Sequence, residues 1–264
     1  MNLRRLILVS ILTLCANPAW AAETYSFAIV PQAAALRTAK DWTPIIKYLE
    51  SRTGLKFRFA STRTAELFSQ RLAEQKYDFV YINPNDYVKY QGQDRYNAIA
   101  RARNLKLKGI IVVRNESSIE KLEQLNGKSV AVPANLFAAD TLARAALRDS
   151  GIAVTVAPMV GDDAVYRAVA QGNYVAGSGT LRTFNNTAAQ FRDQLRVVWT
   201  SEGYTSQAFA AHARVPKDVV QAVQEALIDM DQDPIAKKYL KIIAPDGLDY
   251  ARDVDWDDTR KLDI

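Results

Sequence analysis

Residues 76–90 read KYDFVYINPNDYVKY, and the break at Asn83-Pro84-Asn85 decides how the rest of the chain is read. Residues 78–82 are short, β-branched and aromatic, the pattern of a strand covered on both faces of a parallel sheet. Asn83, Pro84, Asn85 and Asp86 are turn and cap residues: proline fixes φ, and the amide and carboxyl side chains suit the free N–H groups that open a helix. A helix that starts at the carboxyl end of a parallel strand points its N–H groups and dipole at the space beyond the strand, a place suited to a ligand and above all to an anion.

Upstream, residues 25–30 form a first strand. Trp42, Ile45, Ile46 and Leu49 repeat at helical spacing over 42–52, with Pro44 in the first turn and Thr53-Gly54 at the end. Residues 55–60 make a second strand, and Ser61-Thr62-Arg63-Thr64 leads into a helix over 65–75. This βαβαβ order predicts a doubly wound parallel sheet. Residues 96–103 and 109–114 read as two strands with only five residues between them, which suits a passage from one lobe into another. The second lobe repeats the rhythm: helix 118–125, strand 129–132, helix 138–150, strand 154–157, helix 162–171, strand 174–177. Residues 196–200 lead back, 207–213 resume the first sheet, and 219–230 and 234–240 close the chain as helices. The fold class is therefore α/β, two lobes joined by two crossing segments, each lobe a mostly parallel sheet flanked by helices. The expected boundaries are a leader over 1–21, lobe 1 over 22–106 and 204–264, and lobe 2 over 107–203.

The 264 residues, 48% hydrophobic and 24% charged, suffice for one large core or two modest ones. Arg4 and Arg5 precede an apolar run over 6–15, and Ala19-Trp20-Ala21 is a small-x-small cleavage signal, which predicts an exported chain cut before Ala22. The apolar run is too short to span a membrane. Cys15, the only cysteine, lies within that leader, so no disulfide or thiol chemistry is expected of the mature chain; Leu12-Thr13-Leu14 lacks the small residue that precedes a lipidated cysteine. Removal of Arg4 and Arg5 lowers the formal charge from +5 to +3, with basic residues scattered rather than striped, which argues against a nucleic-acid partner.

These stretches in this order resemble the type II periplasmic solute-binding proteins of ABC transporters, in particular the phosphonate/phosphite/phosphate-binding family. The resemblance is carried by Trp42-Thr43-Pro44 with the apolar helix and Gly54-Leu55-Lys56 after it, and by Tyr77-Asp78-Phe79-Val80-Tyr81 with its Asn-Pro turn. Residues 118–128 (SIEKLEQLNGK), 195–201 (LRVVWTS) and 250–262 extend it. It implies a periplasmic protein, two lobes with a small-molecule or oxyanion ligand between them, hinge closure, and no cofactor or metal. The family's Ser-Thr-Ser run, which clasps phosphorus oxygens, falls here on Pro133-Ala134-Asn135-Leu136-Phe137-Ala138, without a hydroxyl. The family histidine falls at Asp162 and its ligand-facing aspartate at Val175. Lost donors and an added carboxylate predict a ligand that differs from a simple phosphonate.

The candidate ligand-binding residues are Tyr81, Asn83, Asn85, Asn135, Phe137, Arg63, Thr64 and Asp162. Phe137, Tyr81 and Tyr166 would stack on an organic or cationic group, or pack in the core or hinge. The asparagines and Asp162 would bond ligand or merely cap helices. Arg63, with Thr62 and Thr64 beside it, would meet a carboxylate or oxyanion. Tyr81→Ala and Asn135→Ala are expected to weaken binding without unfolding the chain. His212, the sole histidine, has no orienting partner in sequence, and no HExxH, P-loop or GxSxG is present, so an enzyme is not expected. The membrane partner is an inner-membrane ABC permease or, alternatively, a sensor receptor, and the expected state is a monomer.

Overall fold

The computed structural model describes residues 23–31, 35–134 and 136–262; the leader, Cys15 and Asn135 lie outside the described residues. The first half of the chain runs β1 (Thr24–Ile29), α1 (Ala35–Thr53), β2 (Lys56–Ala60), α2 (Ala65–Ala73), β3 (Phe79–Ile82), α3 (Pro84–Tyr90), β4 (Tyr96–Ala102), β5 (Lys106–Leu107) and β6 (Gly109–Arg114). It continues through β7 (Ser129–Pro133), α4 (Leu142–Asp149), β8 (Thr155–Met159), α5 (Asp162–Ala170), β9 (Ala176–Thr180), α6 (Leu181–Asn186), α7 (Ala189–Arg192) and β10 (Leu195–Thr200). The last elements are β11 (Tyr204–Thr205), β12 (Ala208–His212), α8 (Lys217–Ile228), α9 (Lys237–Leu240), β13 (Leu248–Tyr250) and α10 (Asp257–Arg260).

Two large sheets result, in the orders β13-β4-β12-β3-β1-β2 and β10-β6-β9-β7-β8, with a two-stranded one of β11 and β5. The parallel sheet expected from βαβ succession holds for β3-β1-β2 and for β9-β7-β8. The remainder is antiparallel, so each large sheet is mixed. The cause is the crossing: β4 and β12 run in opposite directions between the sheets, as do β6 and β10, and each joins its sheet in its own direction. β3 is buried along its whole length, as its apolar run requires. The core of the first lobe gathers Phe27, Trp42, Leu49, Phe79, Tyr81, Phe209 and Trp256, and the second lobe has an apolar cluster on each face of its sheet.

Several local expectations change. Helix α1 begins at Ala35, so Pro44 sits inside it rather than in its first turn. The lost N–H costs about 3 kcal/mol in a helix interior, and burial of Trp42, Ile45, Ile46 and Leu49 against the sheet offsets it. Of the helix expected over 118–125, only a 3-10 turn at Leu122–Leu125 forms. The strand read at 174–177 is shifted to Ala176–Thr180, where Gly177 and Gly179 allow close packing: a Cβ on Gly177 would lie 2.4 Å from Val165.

The register places the carboxyl ends of the parallel strands at the crossing. Ile82 pairs with Ala208, and Ala208 with Arg101, so β3 ends where β4 leaves the first sheet and β12 enters it. Gly109 pairs with Thr180, so β9 ends where β6 enters the second. Between the sheets, β5 and β11 pair through Tyr204–Leu107 and Thr205–Lys106. The C-terminal segment straps this ladder. Trp256 Nε1 donates to the Ser206 carbonyl (2.9 Å), Thr205 Oγ1 to the Asp255 carbonyl (2.7 Å), and the Thr205 amide and Lys106 Nζ to Asp258 Oδ2 at 2.7 and 3.1 Å. Beyond it, Arg148 of the second lobe donates to the Leu262 carbonyl at 3.1 Å.

Candidate functional site

The loops after β2, β3, β7, β8 and β9 all leave the sheets at the edge that faces the crossing, and every sequence candidate among the described residues lies on or beside one of them. In the first lobe, Tyr81 occupies β3 itself. Its ring is buried between Trp42 (4.6 Å between centroids) and Phe209 (4.9 Å), and its hydroxyl donates to Gln207 Oε1 at 3.2 Å. Burial drives its pKa well above the ordinary phenol value, opposed by the charge of Arg182. Tyr81 is thus core in its ring and hinge-facing in its hydroxyl. Asn83 is buried and stands at the N-cap of α3, which it caps through its carbonyl, bonded by the Tyr87 amide at 2.8 Å, and with no side-chain cap bond. Asn85 is half-buried, and its Oδ1 is enclosed without a hydrogen-bond partner.

After β2, Thr64 caps α2 by accepting the Leu67 amide at 3.2 Å, and Thr62 donates to the Thr64 carbonyl at 2.7 Å. Thr64 and Arg63 are exposed. In the second lobe, Phe137 is not on an open surface. It is buried against Ala138 and Leu142, with its ring edge-on to Tyr204 of β11 at 6.1 Å and Leu107, Trp199 and Leu262 packed around the group. Its apolar area is spent on the crossing, the packing alternative of its sequence reading.

Asp162 is buried in the first turn of α5, after Gly161, whose φ of +82° marks the sharp entry. It does not cap its own helix. Its Oδ2 accepts the Thr180 amide at 3.3 Å and the hydroxyl of Thr183, while its Oδ1 is enclosed without a partner. Burial raises its pKa against the lowering effect of these donors. Tyr166 packs fully buried behind this cluster and donates to the Thr180 carbonyl at 3.0 Å. The carboxyl end of β9 is therefore a knot of hydroxyl and carboxyl groups that fixes where α6 begins.

Sequence reading missed three residues on this edge. Gln207 is buried and accepts the Tyr81 hydroxyl; Ser206 beside it is buried with its Oγ unpartnered. Arg182, the second residue of α6, donates from Nη1 to the Ile242 carbonyl at 2.6 Å and so reaches from the second lobe to the first. The signal of Arg182 was obscured by register: with β9 placed at 174–177, residue 182 did not fall at a strand end. An open groove of about 700 Å³ lies apart from these loops, between α1 and residues 235–239, lined by Lys40, Pro44, Lys47, Tyr48, Ile235 and Tyr239.

His212 lies at the opposite end of β12, paired with Tyr96. Its Nδ1 accepts the Arg214 amide (3.1 Å), which leaves Nε2–H to donate to Gln75 Oε1 (3.1 Å), and burial and Arg214 lower its pKa. Among the described residues, no group of His, Cys, Asp or Glu has the makings of a metal site, and no helix is long and apolar enough to cross a membrane.

Comparison with known proteins places this geometry. The model of the family described as ABC transporter, phosphonate, periplasmic substrate-binding protein matches residues 27–256. Among solved structures, one from Prochlorococcus marinus in complex with methylphosphonate is 12% identical with a TM-score of 0.78, covering 90% of this chain and 96% of its own. A binding-protein component of an ABC phosphonate transporter from Pseudomonas aeruginosa is 12% identical with a TM-score of 0.76, covering 91% of this chain and 85% of its own. A Xanthomonas citri protein bound to ATP is 16% identical with a TM-score of 0.76, covering 90% and 95%. No curated protein matches this chain by sequence.

Proposed function

This chain belongs to the family of periplasmic phosphonate substrate-binding proteins of ABC transporters, and from that membership we infer that it captures a small solute between its lobes and presents it to an inner-membrane permease. The observation that carries the reading is the length of the family match, residues 27–256. It takes in both sheets and both crossing segments, so the ligand-binding architecture is present whole. Lobe 1 is assigned residues 22–106 and 204–264, lobe 2 residues 107–203, and residues 1–21 a leader that directs export to the periplasm. The protein acts as a monomer that carries its solute rather than converting it, and His212, bonded to Gln75 and the Arg214 amide at the far end of β12, is given a structural role.

The binding surface is assigned to the loops after the parallel strands, with Asn83, Asn85 and the Tyr81 hydroxyl from one lobe and Asn135 and Asp162 from the other; Arg63 and Thr64 border it, and Phe137 supports it from the crossing. The enclosed, unpartnered Oδ1 atoms of Asn85 and Asp162 support this choice, because buried acceptors are ordinarily bonded. The ligand differs from a simple phosphonate, since residues 133–138 offer no hydroxyl to phosphorus oxygens. A thermal-shift screen of the mature protein against phosphonates, phosphate, carboxylates, amino acids and quaternary amines tests this: a ligand of the native state raises its apparent stability. No shift with any of these classes would overturn the reading.

A further inference from the structure

Helix α1 buries one stripe, that of Trp42, Ile45, Ile46 and Leu49, and on its other side Leu36, Lys40, Thr43, Lys47 and Ser51 recur at helical spacing as an exposed stripe. With Ile235 and Tyr239 this stripe lines the groove of about 700 Å³. Lys237, Lys238 and Lys241 stand exposed on the segment that supplies the groove's other wall. Among the described residues, none of these five lysines is paired with a carboxylate as Lys106 is with Asp258. The carboxylates of α1 and of the stretch ahead of α9 are engaged elsewhere: Asp41 by Arg37, Glu50 by the Phe57 amide, Asp229 by Arg52, Asp231 by Arg103, and Asp233 by the amides of Ile235 and Ala236. The five charges exceed the formal +3 of the mature chain, which leaves the rest of it net negative. In sequence they fall near the two ends of that chain, and the fold brings them to one groove. Two aliphatic side chains stand on its opposite walls, Leu36 at 84% and Ile235 at 65% exposed.

We propose that this face is a membrane-surface site: Lys40 and Lys47, with the lysines of 237–241, meet the phosphates of an anionic phospholipid layer, and Leu36 and Ile235 enter the boundary between headgroups and acyl chains. Unpaired lysines at this density name an anionic partner. The kind of charge narrows the choice. All five are lysines, point charges on flexible stems, which suit phosphates free to move in a fluid layer. A fixed carboxylate on a protein is better matched by the planar fork of arginine, which in this chain goes into pairs such as Arg103 with Asp231 and Asp249. Exposed leucine and isoleucine beside the lysines supply the apolar contact that a lipid boundary accepts and a hydrated acidic surface does not. The result is a chain held at the bilayer by reversible contact. The face is separate from the loops assigned to the solute, so this inference stands or falls independently of the solute reading.

Co-sedimentation of the mature protein with mixed phosphatidylglycerol–phosphatidylcholine vesicles, and with phosphatidylcholine vesicles alone, tests it. The proteins compared are wild type, Lys40→Gln/Lys47→Gln, Leu36→Ser and Lys121→Gln/Lys128→Gln, the last removing two exposed lysines of the second lobe. Thermal unfolding of each controls for folding. Wild type is expected on the mixed vesicles and not on phosphatidylcholine, with binding that falls as salt is added. Each lysine at an anionic surface is worth about fivefold in partition, so Lys40→Gln/Lys47→Gln should lose about twenty- to thirtyfold and the second-lobe control less than about fivefold. Leu36→Ser should lose about three- to tenfold. Equal binding by wild type and Lys40→Gln/Lys47→Gln, an equal loss in the second-lobe control, or equal binding to the two kinds of vesicle would overturn the site. Absence of vesicle binding would overturn it too, and if sedimentation velocity then shows a dimer that Leu36→Ser dissociates, the groove belongs to a second copy of the chain.

Discussion

Replacing Asp258 by alanine tests whether the C-terminal strap holds the crossing ladder. The Asp258 Oδ2 atom accepts the Thr205 amide at 2.7 Å, the Thr205 hydroxyl at 2.8 Å and Lys106 Nζ at 3.1 Å. The carboxylate side chain is 26% exposed and the lysine 53%, so the lysine pair contributes well under 1 kcal/mol. The two threonine bonds to a charged acceptor are each worth about 1–1.5 kcal/mol at this exposure. The sum, roughly 3 kcal/mol, corresponds to a fall in Tm of about 6–12 °C for a chain of this size. The bonds from Thr205 and Lys106 hold the carboxyl below its ordinary pKa. A carboxylate with a depressed folded pKa stabilises above its unfolded value and ceases to do so as pH falls through the folded one. The gap between wild type and variant, read by circular dichroism on heating, should therefore be full at pH ~7 and shrink toward pH ~3. A Tm within about 1 °C of wild type at neutral pH, or a gap that does not change with acid, would refute the reasoning.

Three further outcomes are expected. Tyr81→Ala, which sequence reasoning treats as harmless to the fold, should cost about 3–5 kcal/mol in urea unfolding because the ring is buried between Trp42 and Phe209; Tyr81→Phe, which removes only the bond to Gln207, should cost about 1 kcal/mol. Gly179→Ala would bring a Cβ to 1.9 Å from the Tyr166 hydroxyl; a destabilisation of about 1–3 kcal/mol or more is expected in the same assay, and a neutral result would show that the ring is free to move. Asp86 is buried, and its pKa is raised by desolvation against the bond from Ser69, so its ionised form is disfavoured in the folded chain. Asp86→Asn should thus gain stability relative to wild type as pH rises from ~4 to ~7, and a trend of the opposite sign in thermal unfolding would count against that assignment.

The elements that sequence patterning locates well are those whose pattern and burial agree. The run at 78–82 becomes β3, residues 109–114 become β6 as expected, and Trp42, Ile45, Ile46 and Leu49 mark the buried face of α1. Errors arise where tertiary contact outweighs local preference. Pro44 suggested a helix start at Trp42, yet the helix begins seven residues earlier, at Ala35, because packing of its buried face tolerates one lost bond. The strand read at 174–177 in fact runs on to Thr180, where Gly177 and Gly179 are kept small by Val165 and Tyr166. The candidate site was partly legible for the same reason. Turn chemistry marks Asn83, Asn85 and Thr64, because caps are local. Local patterning says nothing of Gln207 meeting Tyr81 or Arg182 meeting Ile242, contacts that span 126 and 60 residues.

The discontinuity of the six-stranded sheet governs the order in which the molecule can assemble. The five strands of the second sheet all come from residues 109–200, so one uninterrupted segment contains every partner it needs. The first sheet cannot close until β12 is inserted between β3 and β4 and β13 is laid on β4, and both arrive after the entire second lobe. Pairing at such separation is slow, because the chain must be brought together before the contacts reward it. During refolding, β4 and β3 wait with open edges while their neighbours are still at the far end of the chain, the interval in which unpaired strands are most exposed to other chains. Trp256 and Asp258 then lock the β5–β11 ladder, whose two strands lie on either side of the second lobe in sequence, through Ser206, Thr205 and Lys106.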